Sequence, residues 1–168
     1  MTKAKFLNSK FQGSIMKEMT DEEFLIWLAG FVDGEGSFFI TKSSDKRRKT
    51  QNFQLYPKID ICNTDWKVLE EIRKRLGIGA IHKKPKKGNR KTQKAFITRN
   101  QAEILKLTEL LIPYLKVKRK QAELLREFVL LRKQANTTGL GGRRVSYSDR
   151  AIHIYKELKA LNKRGVEM

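Results

Sequence analysis

Phe24-Leu25-Ile26-Trp27-Leu28-Ala29-Gly30-Phe31-Val32, running straight into Asp33-Gly34-Glu35-Gly36, is the stretch that decides the fold of this chain. At about 3.6 residues per turn, the first nine residues make a helix with no polar side, so it must be buried on more than one face. It is far too short to cross a bilayer, which takes roughly 20 apolar residues. Ala29 and Gly30 carry almost no side chain and let another backbone come close. The helix then ends on two carboxylates, Asp33 and Glu35. Acidic groups at a helix C-terminus are repelled by the negative end of the macrodipole. Something positive should compensate there, and a divalent cation would do so.

Upstream, Thr20-Asp21-Glu22-Glu23 is a capping box that opens the helix. Downstream the period changes. Residues 37–42 read as a strand, and 52–62 as a second, with Pro57 marking an edge or a bulge. Asn63-Thr64-Asp65 offers N-caps for a helix through Leu76, with Trp66, Leu69, Ile72 and Leu76 on one face and Gly77 as the C′ residue. Residues 80–83 and 93–98 form a hairpin with a strongly basic tip. Helices follow over 101–111, 116–134 and 148–161. The order is α-β-β-α-β-β-α-α-α, with no internal repeat.

The chain has 168 residues, enough for one domain with a sizeable core. Its 37 basic and 18 acidic residues give a formal net charge of +19. That excess points to a polyanionic partner. Nucleic acid is favoured over membrane, since there is no long apolar segment or lipidation site. Charge alone also fits a basic ribosomal or chromatin-like protein. The one cysteine, Cys62, excludes an internal disulfide and a cysteine-cluster zinc site. His82 and His153 are too few for a histidine-rich metal site. A basic N-terminus without an apolar stretch is not a signal peptide. The expected location is intracellular: archaeal or bacterial cytoplasm, or an organelle if the gene is organelle-encoded.

Leu28-Ala29-Gly30-Phe31-Val32-Asp33-Gly34-Glu35-Gly36 resembles the signature of the LAGLIDADG homing endonucleases. Seven of nine positions agree when Phe31 and Val32 are counted as apolar exchanges. Gly34 stands where an alanine is usual, and Glu35 lengthens the second acidic residue by one methylene. The αββαββα order is that of the same family, followed here by additional C-terminal helices. The resemblance implies an α+β LAGLIDADG fold with a curved antiparallel DNA-binding sheet. A basic arm, 1–19, would precede a single domain over 20–168. One motif rather than two implies a homodimer, with Leu25, Leu28, Ala29, Gly30 and Asp33 in the seam.

The activity implied is site-specific cleavage of double-stranded DNA, leaving short 3′ overhangs in a long, roughly palindromic target, in the service of intron mobility. Two rivals are a maturase that binds intron RNA to assist splicing and a binding-only DNA regulator. The resemblance assigns Glu35 to the cations that activate water and stabilise the leaving oxygen, with Gly34 contributing its carbonyl. Hard oxygens suit Mg²⁺. Mn²⁺ would substitute, and Ca²⁺ would bind without supporting cleavage. Asn63 occupies the place of a residue that positions water, and it is equally a plain N-cap. Pro113-Tyr114-Leu115-Lys116-Val117-Lys118-Arg119-Lys120-Gln121-Ala122 resembles the family's P-x-L-x-x-K-x-x-Q-A stretch. That puts Lys118 at the scissile phosphate, with Lys67 as a weaker second basic residue.

Base reading belongs on the strands, where every second residue shares a face. Phe39, Thr41 and Ser43 make one such face, and Gln54, Tyr56, Lys58 and Asp60 the next. His82, Lys84 and Lys94 lie on the neighbouring hairpin. Gln pairs with adenine, Lys with guanine and Asp with the cytosine amino group. Arg47, Arg48 and the hairpin tip, with Lys86, Lys87 and Arg90, suit phosphates, which position but do not specify.

Overall fold

The capping box closes as expected. The Thr20 hydroxyl accepts from the Glu23 N–H at 3.2 Å, and the Glu23 carboxylate accepts from the Thr20 N–H at 2.7 Å. From there the apolar helix, α1, runs Asp21–Glu35. The computed structural model describes residues 15–46, 51–86, 88–89, 91–137 and 146–163. Beyond α1 they form β1 (Gly36–Ser44), β2 (Phe53–Asn63), α2 (Trp66–Leu76), β3 (Ala80–Lys83), β4 (Lys94–Thr98), α3 (Gln101–Leu111), α4 (Arg119–Thr137) and α5 (Asp149–Leu161). The order is the one expected from the sequence. Most of the arm, residues 1–14, lies outside the described residues. Residues 15–18 form a 3₁₀ turn that belongs to the domain. Buried Arg75 of α2 holds it, donating to the carbonyls of Met16 and Met19 and to Asp21.

The four strands form one antiparallel sheet in the order β1-β2-β4-β3. Helices cover one face, and the core sits between. Phe38, Ile40, Leu55, Ile59, Ile61 and Phe96 supply the sheet's side of it. Phe24, Leu25, Leu28, Ala29 and Val32 supply that of α1. Each fully buried side chain of this size contributes about 1.5–3 kcal/mol over its exposed state. The other face is left open and carries Ser37, Phe39 and Thr41 opposite Asp60, Lys58 and Tyr56.

β2 pairs with β1 over Phe53–Ile61 but with β4 only over Ile59–Asn63. Among the described residues, its first half therefore has a strand on one side only. The Leu55 N–H points out of the other side and is met by the Tyr147 hydroxyl at 2.8 Å. Pro57, two residues on, shares the orientation and has no N–H to offer. A strand edge is thus where the proline sits.

Three local expectations meet the structure here, and two of them change. Trp66 is 46% exposed rather than inward, and its ring lies under the Lys94 ammonium at 4.1 Å. α4 begins at Arg119, not Lys116, and the N–H groups of the three residues before it go to Asp33. Gly77 does cap α2, at φ 66°, the left-handed conformation that glycine adopts most readily.

Candidate active site

α1 delivers its acidic end directly into the sheet. Gly36 is both the cap of α1 and the first residue of β1, so Glu35 lies where helix meets strand. A side chain at 36 is excluded, because a Cβ there would lie 2.7 Å from a Val32 methyl and 2.8 Å from the Val32 carbonyl. Gly34 is different: its added Cβ would meet nothing within 4 Å. That openness suits a position where relatives of the motif carry alanine.

Asp33 and Lys118 tie this junction to the start of α4 in both directions. The Asp33 carboxylate accepts from the N–H groups of Lys116 (2.8 Å), Val117 (3.2 Å) and Lys118 (2.9 Å). Those donors lie on the three residues that lead into α4, so one carboxylate pins the entry to that helix against the end of α1. Burial pushes the Asp33 carboxyl up, but these three donors and the Lys118 charge outweigh it and hold it below the ordinary carboxylate range. In return the Lys118 ammonium donates to the carbonyls of Gly36 (2.6 Å) and Val32 (3.2 Å), with a longer contact to Gly34 (3.5 Å). α1 has no basic residue in its own last turn. The positive charge required at its C-terminus therefore comes from a residue more than eighty positions away, and this part of the site was not legible in the motif.

An open cleft of about 820 Å³ gathers Gly34, Glu35, Gly36, Lys118 and Gln121 with Ser37 and Phe39 of β1, Asp60 and Cys62 of β2, Lys84 and Gln93 beside the hairpin, and Leu161 to Lys163 at the end of α5. Glu35 is exposed within it. Among the described residues, no group of three His, Cys, Asp or Glu side chains could hold a metal. One carboxylate and one carbonyl are nonetheless the donors a hard cation takes. Mg²⁺ is commonly held by one or two carboxylates, with water and substrate phosphate completing the shell. The site fits such an ion as a half-site.

The structure does not bring Asn63 and Lys67 to this cleft. Asn63 shares the orientation of Ile59 and Ile61, and its side chain accepts from the Asp65 N–H at 2.8 Å. Lys67 lies exposed in the first turn of α2, its N–H donated to Asp65. Lys94 is likewise displaced from the open face: it alternates with Ala95 and stands on the Phe96 side, over Trp66. Leu25, Leu28 and Ala29 are at most 1% exposed within their own chain, so no seam can be built on them without opening the core. The face α1 leaves uncovered is Ile26, 52% exposed, with Gly30. Trp27 and Phe31 stack beside it at 5.2 Å. Val117, 73% exposed, is one of the three residues whose N–H groups reach Asp33. Asp33 itself is occupied as a cap inside the chain.

Phe39, Thr41, Ser43, Gln54, Tyr56, Lys58, Asp60 and His82 do share the open face. Asp60 is not an exposed acceptor. It is 5% exposed, and its carboxylate already accepts from Lys84 (2.8 Å), Lys58 (3.1 Å) and the Cys62 thiol (3.0 Å). Burial pushes its carboxyl up, but the Lys84, Cys62 and Lys58 bonds outweigh that and hold it below the ordinary range. Lys58 also lies 5.1 Å from the Phe39 ring centre. Asp60 thus fixes two ammonium groups on the sheet, a role its place in the strand alternation did not reveal. Of the basic tip, Lys86 and Lys91 are exposed. Lys87, Arg90, Arg47 and Arg48 lie outside the described residues.

A model of the LAGLIDADG endonuclease family matches residues 28–134. No curated protein sequence matches the chain. Among solved structures, an archaeal intron-encoded homing endonuclease, I-Vdi141I, complexed with DNA, is 25% identical at a TM-score of 0.70, over 86% of this chain and 88% of that one. The homing endonuclease I-TnaI is 23% identical at 0.62, over 82% and 94%. The LAGLIDADG homing endonuclease I-SmaMI bound to cleaved DNA is 21% identical at 0.64, over 94% of this chain but 49% of that one.

Proposed function

Since this chain belongs to the LAGLIDADG endonuclease family, whose members are metal-dependent DNA endonucleases, we propose that it is a homing endonuclease acting as a homodimer on a long, nearly two-fold symmetric DNA site. The observation that carries this reading is the exposed Glu35 carboxylate beside the Gly34 carbonyl, in one cleft with Lys118 and the open face of a basic sheet. One chain offers half of such a machine. The match to I-SmaMI, which takes in 49% of that longer chain, supports a two-copy assembly. The uncovered Ile26 and Gly30 face of α1 is the surface on which the copies meet, with each sheet laid along one half of the duplex.

Glu35 and Gly34 would hold a divalent cation, Mg²⁺ or Mn²⁺. When bound, that ion lowers the pKa of a coordinated water and offsets charge on the departing 3′-oxygen. Lys118 supplies a positive charge at the same end of α1, where the phosphoryl transition state develops negative charge. Lys58 and Lys84, fixed by Asp60, present their remaining protons to base edges. The direct test is incubation with Mg²⁺ and DNA spanning an intron-free allele of the host gene. A double-strand break with short 3′ overhangs is expected, and binding to RNA without any cut would sink the proposal.

Asp60→Asn should loosen both lysines. Discrimination against a wrong base pair should fall by about 1–3 kcal/mol, the worth of one good base contact. Affinity for random DNA should hold or rise as an acidic group is lost. The same variant should flatten acid denaturation. A carboxyl held low when folded stabilises the protein above its unfolded pKa and loses that contribution as pH falls through the folded value. A base-preference profile and denaturant melts at neutral and acid pH read both effects. Identical profiles would show that Asp60 organises nothing.

Neutralising Lys86, Lys87, Arg90 and Lys91 together should weaken all DNA sequences alike. Log K against log salt should flatten by up to about 0.9 for each phosphate no longer neutralised. A changed base preference at constant slope would instead make the tip a base reader.

A further inference from the structure

The end of α1 already holds a cation of its own. The C-terminal carbonyls of a helix carry partial negative charge equivalent to about half an electron. Here the Lys118 ammonium faces Gly36, Val32 and Gly34 carbonyls, as many acceptors as it has protons. The Gly34 carbonyl is one of the two groups assigned above to the divalent ion. Two positive centres cannot both sit on one carbonyl cluster at little cost, because like charges a few ångströms apart repel even in high dielectric.

We infer that Lys118 is the resident cation of this site and competes with the divalent ion for the end of α1, so that in the absence of DNA the metal half-site is held closed to tight binding. The inference rests on the metal half-site proposed above. DNA opens the site by offering an anion to the ammonium. A phosphate brought to the cleft accepts from Lys118, draws it from the Gly34 carbonyl and leaves its own oxygens to complete the metal's shell. Lys118 is thus a positioning residue as well as a charge in the cleft. Asp33 keeps its backbone in place through the Lys118 N–H while the side chain moves. The nuclease would carry little metal until it is seated on a duplex, and stray DNA contact with a preloaded site is avoided.

The test uses the full chain without DNA and Mn²⁺ alone as probe, with free Mn²⁺ counted by electron paramagnetic resonance. Lys118→Met removes charge and donor. Lys118→Gln removes charge but keeps an amide donor for the carbonyls, which preserves the fold if Met does not. Either variant should bind Mn²⁺ about tenfold more tightly than wild type, the scale of one unit charge close by at a water-exposed site. Adding Glu35→Gln should erase the gain. Equal Mn²⁺ affinity in wild type and both variants overturns the inference. Should neither variant fold, the side-chain ¹⁵N resonance of Lys118 in the wild type decides: it should shift when duplex DNA and Mg²⁺ are added together, and a resonance unmoved by both overturns the inference. Cleavage is scored separately. Unchanged Mn²⁺ affinity in the variants, with the unmutated protein cutting its target, sinks only this inference. Tighter Mn²⁺ in the variants of a protein that cuts nothing sinks only the homing reading.

Discussion

Glu35→Gln is expected to abolish DNA cleavage and leave DNA binding intact. The amide matches the carboxylate in size, and Glu35 is exposed at the helix-strand junction, so folding has no stake in the charge. What disappears is the one carboxylate through which α1 can hold a hard cation. Loss of a comparable electrostatic group typically costs about 10²- to 10³-fold in rate, and losing the metal should exceed that, to about 10³-fold or more. Affinity should hold or improve slightly, because a negative charge no longer faces phosphate. A gel-shift beside a single-turnover cleavage assay at the same protein concentration separates the two steps. Cleavage within a fewfold of wild type would remove Glu35 from the metal site and the proposed function with it.

Gly30→Leu is expected to convert the protein from dimer to monomer without unfolding it. In one chain the new side chain enters open space, since nothing lies within 4 Å of a Cβ at 30. In the dimer the same side chain occupies the seam twice. Overpacking costs about 1–3 kcal/mol per site, so the pair should raise the dissociation constant by about thirtyfold or more. Circular dichroism should be unchanged, sedimentation should report the monomer, and double-strand cutting should fall accordingly. Leu28→Ala is the contrast: it should damage the fold of each chain, because Leu28 is fully buried, at about 2–5 kcal/mol. A dimer that survives Gly30→Leu would place the seam elsewhere.

The element order, the capping box, Gly77 and the open sheet face were all legible, because each rests on local rules of periodicity and capping. Periodicity explains why three of the expected seam residues lie in the chain's own core. A helix apolar on all sides announces two partners but not which face takes which. Leu25, Leu28 and Ala29 went to the chain's own core, leaving Ile26 and Gly30. Lys94 was misplaced because the alternation in β4 was not carried across from β2: pairing with Asn63 puts it on the helix side. The Asp33–Lys118 exchange and the Asp60–Lys84 ion pair join residues distant in sequence. No local pattern encodes such contacts. The nearest clue was negative: a helix ending on carbonyls and carboxylates with no basic residue in its last turn.

The one-sided pairing of the first half of β2 has a further consequence, for how the protein behaves alone. An open strand edge invites pairing with another chain. At low salt the +19 charge opposes edge-to-edge pairing, but salt screens that repulsion within about 10 Å at roughly 0.1 M. What still protects the edge is chemical. Pro57 presents no hydrogen there, and the Tyr147 hydroxyl sits on the Leu55 N–H. In concentrated salt the defence of this edge therefore rests on a proline and a phenol, which gives Tyr147 a second task beside its place in the core.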